Sequence, residues 1–314
     1  MVYAVVAIHT HPFENCNDKQ IVHSILFLFD LAVPFFFLAC GFLLAVKTTE
    51  LNEKDTFDSI KNHAMKILKM YLVWTVIYLP IAIYHFFDIK ETTLRAILLY
   101  LRNFIFIGEQ YNSFQLWYLL STIYSLAIIV ILRIAKKRFA LVCTSVIASV
   151  VSIIFSSLSN YNGTLHGSAF MLQNIIRYSF GNGRLFNGLV FIPIGMLIAN
   201  RNIDALKGAS MLIGGIAVGC YSENIIINWY ALIIAAIGLF CIVISIRINK
   251  NKLYLYMRNL STSIYLVHMY VWTFFYYFVY GKKTFGIIPF VFTAVISTII
   301  GIVVILVQRK RCKL

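Results

Sequence analysis

The stretch ILFLFDLAVPFFFLACGFLLAV, residues 25–46, decides the fold. It carries one charged side chain, Asp30, in an apolar run. A helix needs about 20 such residues to cross the ~30 Å hydrocarbon core of a bilayer. Runs of this kind recur from end to end of the 314 residues, and one soluble core has no room for so many. Hydrophobic residues make up 61% of the chain and charged residues 12%, against about 25% charged in an ordinary soluble domain. The chain reads as an all-α, polytopic membrane protein of about ten transmembrane helices.

Outward from residues 25–46, further spans fall at 67–87, 115–132, 139–158, 185–199, 207–221, 225–246, 260–280 and 286–308, with a shorter first one at 1–11. Segment 92–107 is apolar but contains Arg95 and Arg102, which fits a helix lying in the membrane interface. Residues 1–314 read as a single membrane-embedded domain, with no internal repeat and no soluble domain.

Charge sets the expected orientation. With the N-terminus inside, most of the 27 lysines and arginines fall on the cytoplasmic side, among them Lys136, Lys137, Arg138, Arg247, Lys250, Arg309, Lys310, Arg311 and Lys313. Lys19, Lys90, Arg95, Arg102, Arg177, Arg184, Lys282 and Lys283 stay outside. The positive-inside rule then places both termini in the cytoplasm. The same loops account for the net charge of +15. Because the basic residues form no single stripe, nucleic-acid binding is excluded. The six cysteines, Cys16, Cys40, Cys143, Cys220, Cys241 and Cys312, are scattered. They match no metal-site spacing or disulfide framework and read as small apolar fillers.

VVAIHTHPF, residues 5–13, is the unusual stretch. Residues 1–11 give a helix of about 15 Å, half the hydrocarbon thickness. The expectation is a truncated first helix, with Met1 an internal methionine and the span completed upstream. His9 and His11 fall at its outer end, level with Gln115, Tyr118, Arg184 and Asn187 in neighbouring spans. An imidazole, an amide, a phenol and a guanidinium around one cavity suit the binding and activation of a hydroxyl-bearing substrate, with histidine taking the proton. Against this, polar tips are common at membrane interfaces.

Two further ionisable groups lie within spans, where they are costly. Asp30 either pairs with a basic group or sits near the outer interface. His268, in STSIYLVHMYV, is either a packing histidine with its ring N–H on a carbonyl or a functional group. On the inner side Lys61, His63, Lys66 and Lys69 open the third span. Lys66 and Lys69 share a helical face and suit donor phosphates, although topology-setting charge explains them equally well.

Six stretches in order resemble the integral-membrane acyltransferases (the acyltransferase type 3 family). They are VVAIHTHPF, LAVPFFFLACGFLLA, MKILKMYLVWTVIY, FQLWYLLSTIYS, RLFNGLVFIPIGMLIA and STSIYLVHMYV. AVPFFF also looks like the membrane modules of membrane-bound serine racemases in the same family. The resemblance implies a ten-helix fold in the bacterial cell membrane, a cytoplasmic acyl-CoA donor and an acceptor at the outer face. The family's span-one arginine, eleven residues before its histidine, would precede Met1. Lys66 and Lys69 stand where arginines are usual, and Gln115 stands where histidine is frequent.

These readings converge on an O-acyltransferase, specifically an O-acetyltransferase, acting on a cell-surface glycan or glycolipid. His9 is the general base or transient acyl acceptor, and His11 the second candidate. Gln115, Tyr118, Arg184 and Asn187 bind the acceptor, while Lys66 and Lys69 hold the donor phosphates. The partners are acyl-CoA, the carbohydrate acceptor and the lipid bilayer; no bound cofactor or metal is expected. The alternatives are a small-molecule uptake module or a catalytically inactive fragment.

Overall fold

The computed structural model describes residues 1–311 except 162, 164, 165, 200, 202, 203, 247–250 and 283, and describes 309–311 without their side chains. Arg247, Lys250, Lys283, Cys312 and Lys313, which entered the reading of charge and cysteines, lie outside the described residues. Among the described residues the protein is all-α, with no strand. Its helices are α1 (Val2–Thr10), α2 (Lys19–Asp30), α3 (Ala32–Thr48), α4 (Glu53–Asp88), α5 (Thr93–Arg102), α6 (Leu116–Ile131), α7 (Arg138–Asn160), α8 (Gly167–Phe180), α9 (Asn187–Ile198), α10 (Ala205–Tyr221), α11 (Ile225–Ser245), α12 (Lys252–Phe274) and α13 (Ile287–Arg311).

Five helical segments are long and apolar enough to cross a bilayer: Lys19–Thr48, Glu53–Asp88, Arg138–Asn160, Ile225–Ser245 and Ile287–Gln308. The pair Gly167–Phe180 and Arg184–Ile198, bent by 61°, makes a sixth if it counts as one span. The other spans of the expected ten fall on α1, α6, α10 and α12. The first three have only 9, 16 and 17 residues, and α12 opens on the polar Lys252, Arg258 and Asn259. Helix length therefore accounts for five to six spans, not ten. The five long segments bury only 22–39% of their most apolar window within the protein. Their outward apolar side chains, Leu43, Val76, Phe87 and Ile147 among them, are exposed and suit a lipid solvent.

Local chemistry explains the breaks. Asp18 caps α2 by accepting from the Gln20 and Ile21 amides at 2.9 and 3.1 Å. The span expected at residues 25–46 is divided at Leu31. Pro34 has no N–H to give the Asp30 carbonyl, so the ladder lapses there and Pro34 sits in the first turn of α3, where proline is tolerated. α4, with 36 residues, is about 54 Å long, so its first turns project well beyond the span expected at residues 67–87.

One difference from the sequence reading follows from polarity, and one expectation is met. Residues 159–184 carry no expected span, yet α8 forms there; Gln173, Asn174 and Arg177 interrupt its apolar pattern. Segment 92–107 becomes α5 and a π turn, Asn103–Ile107. Leu94, Ile97, Leu98 and Leu101 form one exposed apolar stripe on α5, which buries no residue, as in an interfacial amphipathic helix.

Packing relies on close backbone approach. A Cβ on Gly41 of α3 would lie 2.0 Å from the Ile192 carbonyl oxygen of α9, and one on Gly195 would lie 2.2 Å from the Leu38 carbonyl oxygen. Gly238 of α11 approaches the Leu212 amide of α10 in the same way, at 2.4 Å. Small residues at helix crossings are the usual device where lipid removes the hydrophobic drive between helices. The main core joins α3, α6, α7, α9 and α11 through Phe37, Leu38, Leu126, Phe191, Ile192 and Phe240. A second cluster joins α4, α6 and α12 through Tyr71, Tyr78, Leu116 and Met269, and a third seats α1 against α12 and α13 through Val6, Ile264 and Ile305.

Candidate functional site

The ends of these helices surround a cavity of about 550 Å³. His9, Gln115, Tyr118, Arg184 and Asn187 all line it. Five of the six residues read at one level of the membrane thus face a common space. His11 and the lysines Lys66 and Lys69 are not among the lining residues.

Pro12, directly after His11, sends the two histidines different ways. The residue before a proline is pushed out of the α region, and His11 takes φ 44° and ψ 61°, left-handed, as the cap of α1. His9 therefore stays in the last helical turn. His11 swings out to an exposed position, edge-on to Phe285 with ring centroids 5.0 Å apart. The end of α1 is pinned to the start of α13 by the Gly286 amide, which donates to the Thr10 carbonyl at 2.9 Å. The half-buried His9 ring lies between Phe114, at 6.1 Å and nearly parallel, and His268, at 5.5 Å.

Behind His9 the cavity wall is a buried polar network. Gln115, 1% exposed, precedes α6. Its Nε2 donates to the Tyr78 hydroxyl at 2.8 Å and to the Leu266 carbonyl at 3.2 Å. Tyr78 in turn donates to the Leu266 carbonyl at 2.9 Å, and the Tyr265 hydroxyl donates to the Gln115 carbonyl. The amide is therefore held by α4 and α12, while its Oε1 is buried without a hydrogen-bond partner. Tyr118 packs against Phe37 and Tyr265, with centroids at 4.5 and 5.8 Å.

Across the cavity, Gly183 at φ 77° turns the chain from α8 into α9. A Cβ there would also meet that of Phe155 at 2.6 Å, so glycine is required twice over. Arg184 follows, its Nη1 3.2 Å from Glu109 Oε1 and its guanidinium 5.7 Å from the centre of the Trp117 ring. Burial pushes the Glu109 carboxyl above its ordinary range, and the guanidinium pulls it part of the way back. Asn187 accepts from the Ser152 hydroxyl at 3.2 Å. Asp30, at the break between α2 and α3, also lines the cavity, as do His23, Glu223, Asn228 and Trp229. Sequence reasoning weighed Asp30 without placing it here, and passed over the others, which are ordinary polar residues at span ends.

Lys66 and Lys69 are exposed on α4. Nine residues of that helix, about 13 Å of rise, separate Lys69 from Tyr78, which touches Gln115. The Lys136 ammonium donates to the Leu51 carbonyl, bringing the loops after α3 and α6 together at the same end of the molecule as these lysines.

The chain matches the family model described as an acyltransferase domain over residues 2–307. It is 34% identical over 98 residues, 30% of this chain, to a serine/alanine racemase of Enterococcus gallinarum. It is 31% identical over 129 residues, 41% of this chain, to an amino-acid racemase of Enterococcus faecalis. These matches span only 14% and 17% of the lengths of the two relatives. No solved structure matches. An all-helical membrane chain whose residues 2–307 fit one family model belongs to that family, the integral-membrane acyltransferases of type 3.

Proposed function

We propose that the protein moves an acetyl group from cytoplasmic acetyl-CoA to a hydroxyl of a cell-surface glycan or glycolipid, with the His9 cavity as the site of transfer. The reading rests above all on the shared cavity of His9, Gln115, Tyr118, Arg184 and Asn187. His9 takes the hydroxyl proton as the oxygen attacks the thioester carbonyl carbon. The new C–O bond replaces the C–S bond, and the departing thiolate takes the proton from the imidazolium, restoring neutral His9. Tyr118, Arg184 and Asn187 hold the acceptor, Gln115 anchors the wall, and Lys66 and Lys69 hold the donor phosphates at the inner face. Both termini lie in the cytoplasm in this arrangement, which puts Asn182 and Glu223, both in the cavity lining, on the outer side.

A second reading, uptake of a small molecule, draws on the racemase relatives and on the interrupted helices at Leu31 and Gly181–Gly183, since transporters use broken helices. Purified protein in proteoliposomes separates the two. Acceptor-dependent release of the CoA thiol from acetyl-CoA is the expected result. Accumulation of radiolabelled serine without any acyl donor, and without thiol release, would replace the acyltransferase reading by uptake.

A further inference from the structure

His268 lies on α12 and is fully buried, with 0% exposure. Its Nδ1 is 3.1 Å from the Ile264 carbonyl oxygen, one turn earlier. A carbonyl only accepts, so in the neutral ring Nδ1 carries the hydrogen and Nε2 carries a lone pair. That Nε2 is buried and has no hydrogen-bond partner. Buried acceptors of this kind are rare and call for an explanation.

The imidazole of His9 supplies one. The two ring centroids are 5.5 Å apart and the planes are inclined by 30°. This is too far for face stacking, and close to two imidazoles edge to edge with nitrogens about 3 Å apart. Among the described residues His9 makes ring contacts but no hydrogen bond. A small turn of the ring, or one bridging water, joins them; catalytic hydrogen bonds are often long before substrate binds.

We infer that His268 is a positioning residue for His9: its Nε2 accepts the N–H of His9, fixing the tautomer and ring angle that turn the lone pair of the other nitrogen to the cavity. A base oriented by a third group is the general arrangement in such sites. It rests on the reading of His9 as the base, and Gln115 Oε1, likewise buried and without a partner, is the competing acceptor for the same hydrogen.

The test compares His268→Asn with His268→Gln in the full chain, in lipid nanodiscs with ring-15N histidine. Asparagine keeps the bond to Ile264 but is too short to reach His9, whereas the glutamine oxygen reaches the place of Nε2. The chain has seven histidines, and the His9 signals are assigned by their loss in His9→Gln. The expected result is one His9 tautomer in the parent and in the glutamine variant, and a mixture in the asparagine variant. An unchanged single tautomer in His268→Asn overturns the inference and points to Gln115; so does a mixture in the parent. Turnover gives a second readout: kcat should fall about tenfold or more in His268→Asn and recover in His268→Gln, with the KM for acetyl-CoA unchanged. If the parent shows no transfer at all, the acyltransferase reading fails while the tautomer result still decides the role of His268.

Discussion

The cavity and the stretch of α4 that carries Lys66 and Lys69 are built in opposite ways. The cavity is assembled from helix ends: α1 stopped by Pro12, α2 parted from α3 ahead of Pro34, and α9 started by Gly183. Each break releases a side chain or backbone group from helical register, and residues from distant parts of the chain meet as a result. Lys66 and Lys69 stand on one unbroken helix, exposed and three residues apart. The first kind of site exists only when the fold is correct; the second needs only a helix. A buried, multiply bonded wall holds reacting groups at fixed geometry, whereas an exposed pair of ammonium groups supplies a field that salt screens.

The largest effect that would sharpen this contrast comes from the glycine crossing. Gly41→Leu places side-chain atoms where the Ile192 carbonyl now stands, at a cost of about 3 kcal/mol or more for overpacking. Because α3 contributes Pro34 and Phe37 to the cavity and α9 contributes Asn187 and Phe191, the variant should lose its monodisperse folded peak in detergent. A stable, active Gly41→Leu protein would break the claim that the cavity depends on this crossing.

Next comes Arg184. Arg184→Ala removes the guanidinium from the cavity and from Glu109. It should raise the KM for the acceptor about tenfold, the worth of one charge-assisted contact, with little change in the KM for acetyl-CoA. The smallest effect belongs to Lys66 and Lys69. Lys66→Ala or Lys69→Ala should raise the KM for acetyl-CoA about two- to fivefold, leave the acceptor KM alone, and lose this difference in 1 M salt. If Arg184→Ala altered donor binding, or the lysine variants altered acceptor binding, the division into two sites would fail.

The long spans were legible because apolar length is a one-dimensional property: residues 25–46, 139–158, 225–246 and 286–308 all fall on long apolar helical segments. α8 escaped notice because Gln173 and Arg177, which bond to the carbonyls of Tyr161 and Ser159, break its pattern. The site was legible by level and not by azimuth. Counting from span ends put His9, Gln115, Tyr118, Arg184 and Asn187 at one depth. Which of them turn inward depends on helix packing, and periodicity does not report it. Hence His11 stood as the second candidate beside His9, although its left-handed cap conformation just before Pro12 turns it away from the cavity. The contributions of Tyr78 and His268 arise from contacts across 37 residues or more of sequence, which no local pattern encodes.

Those two histidines allow the most direct test of the account. His9→Ala and His11→Ala are compared for acetyl transfer from acetyl-CoA in proteoliposomes, at equal amounts of folded protein. His9→Ala should lose about 10²- to 10⁴-fold in kcat, the usual contribution of a positioned base, while His11→Ala, which removes a ring that faces Phe285 outside the cavity, should stay within about twofold of the parent. Wild-type turnover in His9→Ala, or a comparable loss in His11→Ala, would contradict it.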